Sequence, residues 1–127
     1  MAIQITNLPV IMNIQGIVGD TLDNWSLVFK DSDGNPKDIS TIDFWFIVKK
    51  SYSKPDTEAI ITKLPADAVK SNSVDATVDT LAFPLTPSDT EVTSGKYVYA
   101  IKILDGTDER TYIDGGFVLQ QRRIDTV

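Results

Sequence analysis

The chain has 127 residues, 12 of them basic and 18 acidic for a net charge of −6, and it contains neither cysteine nor histidine. That composition excludes disulfides, thiolate nucleophiles, imidazole bases and the two commonest zinc ligands, and most enzyme mechanisms go with them. The acidic balance repels nucleic-acid phosphates, and the basic pair Arg122-Arg123 is short and terminal.

A chain of this length fits one domain burying about two-thirds of the surface its unfolded form exposes. No run approaches the roughly 18 apolar residues needed to cross a bilayer, and no basic segment with an apolar core opens the chain. The expectation is a soluble protein made in the cytoplasm. Asn24-Trp25-Ser26 is a formal glycosylation sequon and reads as the start of a strand.

Turn signals recur at intervals of roughly 8 to 15 residues with short β-rich segments between them, the pattern of an all-β sandwich or barrel. The first candidate strand covers Ile3 to Ile17 and is interrupted by Pro9. Proline lacks the amide donor, so this position suits an edge or a bulge, where the strand changes partners. After a turn at Gly19-Asp20, Trp25, Leu27 and Phe29 alternate with Ser26, Val28 and Lys30, which makes a strand with one strongly apolar face.

Asp31 to Pro36, reading DSDGNP, is the sharpest turn signal, because Gly34 and Asn35 tolerate positive φ and Pro36 presets the exit. Beyond it, Ile42, Phe44, Phe46 and Val48 alternate with Asp43, Trp45, Ile47 and Lys49. This strand is apolar on both sides at its middle, as expected of a central strand whose outer face is covered by a loop or a partner subunit. Ala59 to Leu64 reads as a short strand, and Ala68 to Asp79 as an edge strand or exposed loop.

The stretch from Leu81 to Leu104 sets two strands around a polar corner containing Pro84, Pro87 and Gly95. Thr86 or Ser88 is placed to cap a single helical turn there, with Asp89 and Glu91 near its positive end. Tyr97, Tyr99, Ile101 and Ile103 carry the second strand, a last hairpin turns at Asp105 to Asp108, and Arg110 to Gln120 closes the domain. Gly115 and Gly116 mark a bulge or a close backbone approach.

No residue set carries chemistry. Asp31, Asp33, Asn35 and Asp38 resemble the start of a calcium loop, but the glycine falls fourth and Ile42 stands where a bidentate glutamate belongs, so these are read as turn residues. The pairs Asp105 with Asp108 and Asp89 with Glu91 have no cleft to serve. No catalytic residue, metal or cofactor is expected. Trp25, Phe29, Phe44, Phe46, Tyr97 and Phe117 are assigned to the inner face, and Trp45, Tyr52 and Tyr112 to the outside, where aromatics stack on sugars or anchor interfaces.

The ordered set Gly19-Asp20-Thr21, Trp25 to Phe29, Asp33-Gly34-Asn35-Pro36, Asp38-Ile39-Ser40, Ile42 to Val48, Leu85-Thr86-Pro87, Asp89-Thr90, Gly95-Lys96-Tyr97 and Gly116-Phe117 spans nearly the whole chain. It resembles the small β-sandwich domains of tailed-bacteriophage virions, in particular the N-terminal domain of the phage baseplate upper protein family. The resemblance implies an antiparallel immunoglobulin-like sandwich of about seven to nine strands, with at most one short helical turn near 87–93. It also implies a non-enzymatic tail, baseplate or capsid-decoration protein, made in the bacterial cytoplasm and located in the virion.

Its partners would be other virion proteins and copies of itself, with no nucleic acid and no membrane. Residues 1–127 form one domain in this reading, with 1–18 and 122–127 as docking arms. The interface candidates are Trp45, Tyr52, Tyr112, Ile47, Ile5, Pro9, Arg122 and Arg123. The alternative is a carbohydrate- or receptor-binding module on the virion surface that uses the outward aromatics.

Overall fold

The computed structural model of the chain describes the backbone of residues 2–5, 10–11, 13–23, 25–31, 33–72 and 77–121, and the side chains of these apart from 2–5, 10–11, 108 and 110–113. Two sheets face each other. One has the order β1 (Ala2–Ile5), β4 (Ser26–Phe29), β8 (Val78–Ala82), β7 (Val69–Asn72). The other has the order β2 (Val10–Ile11), β10 (Asp108–Gln120), β9 (Gly95–Asp105), β5 (Asp43–Lys49), β6 (Ile61–Lys63), with β3 (Ile14–Ile17) also paired to β10. One α-helical turn, α1 (Pro87–Thr90), joins β8 to β9, and 3₁₀ turns occupy Asp56–Glu58 and Pro65–Asp67.

In chain order this partition is that of the immunoglobulin fold, in which the first, second, fifth and fourth strands form one sheet and the third, sixth and seventh, with an added edge strand, form the other. The fold is therefore an immunoglobulin-like β-sandwich. Its β4–β8, β7–β8, β5–β6, β5–β9 and β9–β10 pairings are antiparallel. The N-terminal strands depart from that rule: β1 runs parallel to β4, and β2 and β3 run parallel to β10. A parallel pair needs a long connection, and the chain between Ile5 and Ser26 supplies it.

The N-terminal segment crosses from one sheet to the other between β1 and β2, so the expected change of partner near Pro9 takes place, although Pro9 itself lies outside the described residues. Residues 2–5, 10–11 and 14–17 are thus strands of the sandwich, and Ile14 is buried in its core. The segment 1–18, expected as a docking arm, contributes these three strands to the two sheets. The C-terminal arm, 122–127, lies outside the described residues.

Strand alternation explains the core. Phe44, Phe46 and Val48 from β5, Tyr97, Tyr99, Ile101 and Ile103 from β9, and Phe117 and Leu119 from β10 point at Leu27, Phe29 and Leu81 of the opposite sheet, all buried. Phe46 is the hub: its ring centroid lies 5.5 Å from those of Trp25 and Tyr99, 5.8 Å from Phe83 and 6.2 Å from Phe117. With no cysteine available, this aromatic cluster ties the two sheets together where an antibody domain uses a disulfide. Trp25 Nε1 is buried there with no acceptor among the described residues.

The DSDGNP turn behaves as its residues dictate. Gly34 adopts φ 83°, where a side chain would be strained, and the Asp31 carboxylate accepts from the amides of Asp33 and Asn35 at 2.9 and 3.0 Å. The Asp31 oxygen is thereby committed to holding its own turn. Gly16 answers a different need, close packing: a Cβ there would stand 2.9 Å from Leu22 Cδ2 and 3.3 Å from Leu119 Cδ2.

Candidate functional site

Two regions merit attention, the corner between β8 and β9 and the outer face of the larger sheet. At the corner, Pro87 opens α1 and Thr86 caps it, accepting from the Asp89 amide at 3.4 Å while the Asp89 carboxylate accepts from the Thr86 amide at 2.8 Å. The same carboxylate pairs with Lys63 of β6 at 2.8 Å. Thr90, fully buried, donates its hydroxyl to the Asp20 carbonyl at 2.7 Å, which locks α1 to the turn after β3. Tyr97, at the start of β9, then donates its hydroxyl back to the Thr93 carbonyl, two residues ahead of the strand.

That last contact is the tyrosine corner of immunoglobulin-like sandwiches, a tyrosine at the start of the sixth strand bonded to backbone a few residues upstream. Sequence reasoning assigned Tyr97 to the core without this role. The signal that would have found it is the spacing of Tyr97 four residues beyond Thr93, just after a Pro-capped turn. The corner is a fold determinant, as its turn chemistry implied.

Burial pushes the Asp89 carboxyl upward, but the Lys63 ammonium and the Thr86 amide and hydroxyl outweigh it and hold the group below the usual carboxylate range. The unfolded value is about 3.9, so the ionised carboxylate stabilises the fold above that pH, and its contribution is lost as pH falls through the lower, folded value. Asp89→Asn is therefore expected to lower the melting temperature at neutral pH and to converge on the parent protein in acid. Thermal melts of both proteins across the acid range check this; a difference that does not change with pH would contradict it.

The outer face of the larger sheet is built from residues alternating with the core set. Trp45 and Lys49 of β5, Val98, Ala100, Lys102 and Leu104 of β9, and Asp114, Gly116 and Val118 of β10 are each half-buried. Trp45 stands opposite Lys102, whose ammonium pairs with Glu109 at 3.0 Å. Ile47, an interface candidate from the sequence, is only 6 % exposed, so it lies beneath this surface; the two 3₁₀ turns flank its strand.

Tyr52, in the loop after β5, is 54 % exposed, yet its hydroxyl donates to the Gly115 carbonyl of β10 at 3.1 Å, spanning the intervening β9. Burial and the nearby Asp114 carboxylate push its phenol up, against the hydrogen bond to Gly115. Next to that carbonyl, the Gly116 amide donates to the Asn13 side chain at 2.9 Å. The glycine pair thus marks close approach, and the register shift of the strand falls between Thr111 and Ile113 instead.

The remaining candidates divide by what the structure describes. Ile5 pairs with Phe29 in β1, with its side chain outside the described set, as is that of Tyr112 in β10. Pro9, Arg122 and Arg123 lie outside the described residues altogether, and so does the side chain of Asp108 from the carboxylate pair weighed above. Trp45 and Tyr52 therefore remain as the aromatic pair that the structure places at the surface.

No family model and no curated protein matches the chain. Among solved structures it is similar to that of the NK cell receptor Nkp44, described as a triggering partner in natural cytotoxicity. The identity is 14 % and the TM-score 0.37, over 86 % of this chain and 97 % of that one.

Proposed function

We propose that this chain is a non-enzymatic structural protein of a tailed-bacteriophage virion, a tail or baseplate adaptor or a capsid-decoration protein that acts by protein–protein assembly. The observation carrying this reading is the outer face of the larger sheet, where Trp45, Val98, Leu104 and Val118 occupy positions that a solvated face would fill with polar residues. The residues behind the family resemblance support it as well: Asp33 to Pro36 and Thr86 to Thr90 fall in turns and caps that shape the sandwich, and Gly95 to Tyr97 open β9. The localisation that goes with the proposal is the virion.

Mass spectrometry of purified virions tests it, with the chain expected in a fixed multiple of the known structural proteins. Absence from the particle sinks the proposal. Within the particle, Trp45→Glu is expected to leave the domain folded, because the side chain lies outside the core cluster, and to abolish incorporation. A folded variant that still assembles removes the outer face from the argument. A second reading, a glycan- or receptor-binding module, is favoured by the exposed ring of Tyr52; specific glycan binding lost on Tyr52→Ala would select it.

A further inference from the structure

A cleft of about 440 Å³ opens at the end of the sandwich where the loop after β5 meets the segment leading into β9. Its apolar floor is formed by Ile60 and Val92, both packed against the core, and by Tyr97. Its rim carries Lys50 and Lys96 with the exposed residues Thr93 and Ser94, and no carboxylate lines it. The volume lies within the range of about 300–1,000 Å³ typical of small-molecule sites, which combine an apolar wall with a few convergent polar groups.

The lysines make the cleft unusual for an acidic protein. Lys49, Lys63 and Lys102 are each engaged by a carboxylate, whereas the ammonium groups of Lys50 and Lys96, like those of Lys30, Lys37 and Lys54, have no ion pair or hydrogen bond among the described residues. Two lysines on the lining of one cleft, with no carboxylate among its other lining residues, give it a positive potential that favours an anion. The neighbouring hydroxyls of Thr93 and Ser94 donate and accept, and the floor suits the less polar face of a ring.

We propose that this cleft is a binding site for a carboxylated monosaccharide, its carboxylate held between Lys50 and Lys96, its hydroxyls met by Thr93 and Ser94, and its ring lying on Ile60, Val92 and Tyr97. The inference goes beyond the assembly function and shares with the outer face only its edge, where Lys96 stands opposite Val118. A site of this shape, open to solvent and relying on two flexible ammonium groups, binds weakly and in a salt-dependent manner.

Backbone amide NMR of the full chain tests it, with glucuronate as the probe and glucose and inorganic phosphate as comparisons. Glucuronate at millimolar concentration is expected to shift the amides of Lys50 and of Thr93 to Tyr97, and glucose and phosphate to shift them far less. In Lys50→Ala/Lys96→Ala the glucuronate affinity is expected to fall by about tenfold or more, equivalent to about 1.4 kcal/mol. Both lysines lie outside the core, so the amide spectrum away from the cleft should be unchanged; Lys96→Gln alone, with a smaller loss, serves if the double variant does not fold. Equal shifts with glucose would remove the role of charge, equal shifts with phosphate would reduce the site to a surface anion contact, and no shift with glucuronate would remove the site; each overturns the proposal.

Discussion

Phe46→Ala is expected to destabilise the domain by about 3–5 kcal/mol, a large share of the roughly 5–15 kcal/mol that holds a domain of this kind folded. Phe46 is fully buried and meets rings from both sheets, Trp25 and Phe83 among them, so truncation removes the central contact and leaves a cavity whose walls belong to separate strands. Those walls cannot collapse without moving a sheet, which is why the cost sits at the high end for a core residue. The measurement is urea unfolding: the midpoint should fall sharply with the slope unchanged. A loss under about 1 kcal/mol, near the average for any substitution, would mean that the rings are not packed as described.

Thr90→Val is expected to cost about 1–3 kcal/mol although it removes no volume. The buried threonine donates its hydroxyl to the Asp20 carbonyl at 2.7 Å, with the Pro87 carbonyl 3.3 Å away, and valine keeps the shape while removing the donor. The effect should be local as well as global. Amide hydrogen exchange should accelerate at Gly19, whose amide donates to the Thr90 carbonyl at 3.2 Å, before the core of β9 responds. Unchanged exchange at Gly19 together with an unchanged melting temperature would show that α1 is held by its own capping box alone.

Much of this architecture is legible from short-range pattern. The alternation through Phe44, Phe46 and Val48 and through Tyr97, Tyr99, Ile101 and Ile103 assigned inward faces that are all buried. The turn at Asp105 to Asp108 closes the β9–β10 hairpin where its residues place it. Ile47 shows the limit of such reading. Its outward position follows from the strand period, but its 6 % exposure depends on neighbours distant in the chain that the period cannot report. Tyr52 shows the same limit from the other side: a loop tyrosine reads as free, and a hydrogen bond to Gly115, far along the chain, ties its hydroxyl down.

The amino-acid sequence by itself determined which segments are strands, which faces they bury and where the chain turns, because strand period and the φ preferences of glycine, proline and asparagine act over a few residues. It also determined that no cysteine or histidine chemistry is available. The tertiary structure alone decided how the strands divide between two sheets, that β1, β2 and β3 pair in parallel, that Tyr97 reaches Thr93, and that Lys50 and Lys96 border one cleft. Those outcomes depend on the free energy of contacts between segments distant in the chain, where strand propensity is nearly silent and side-chain packing selects the partner and the register.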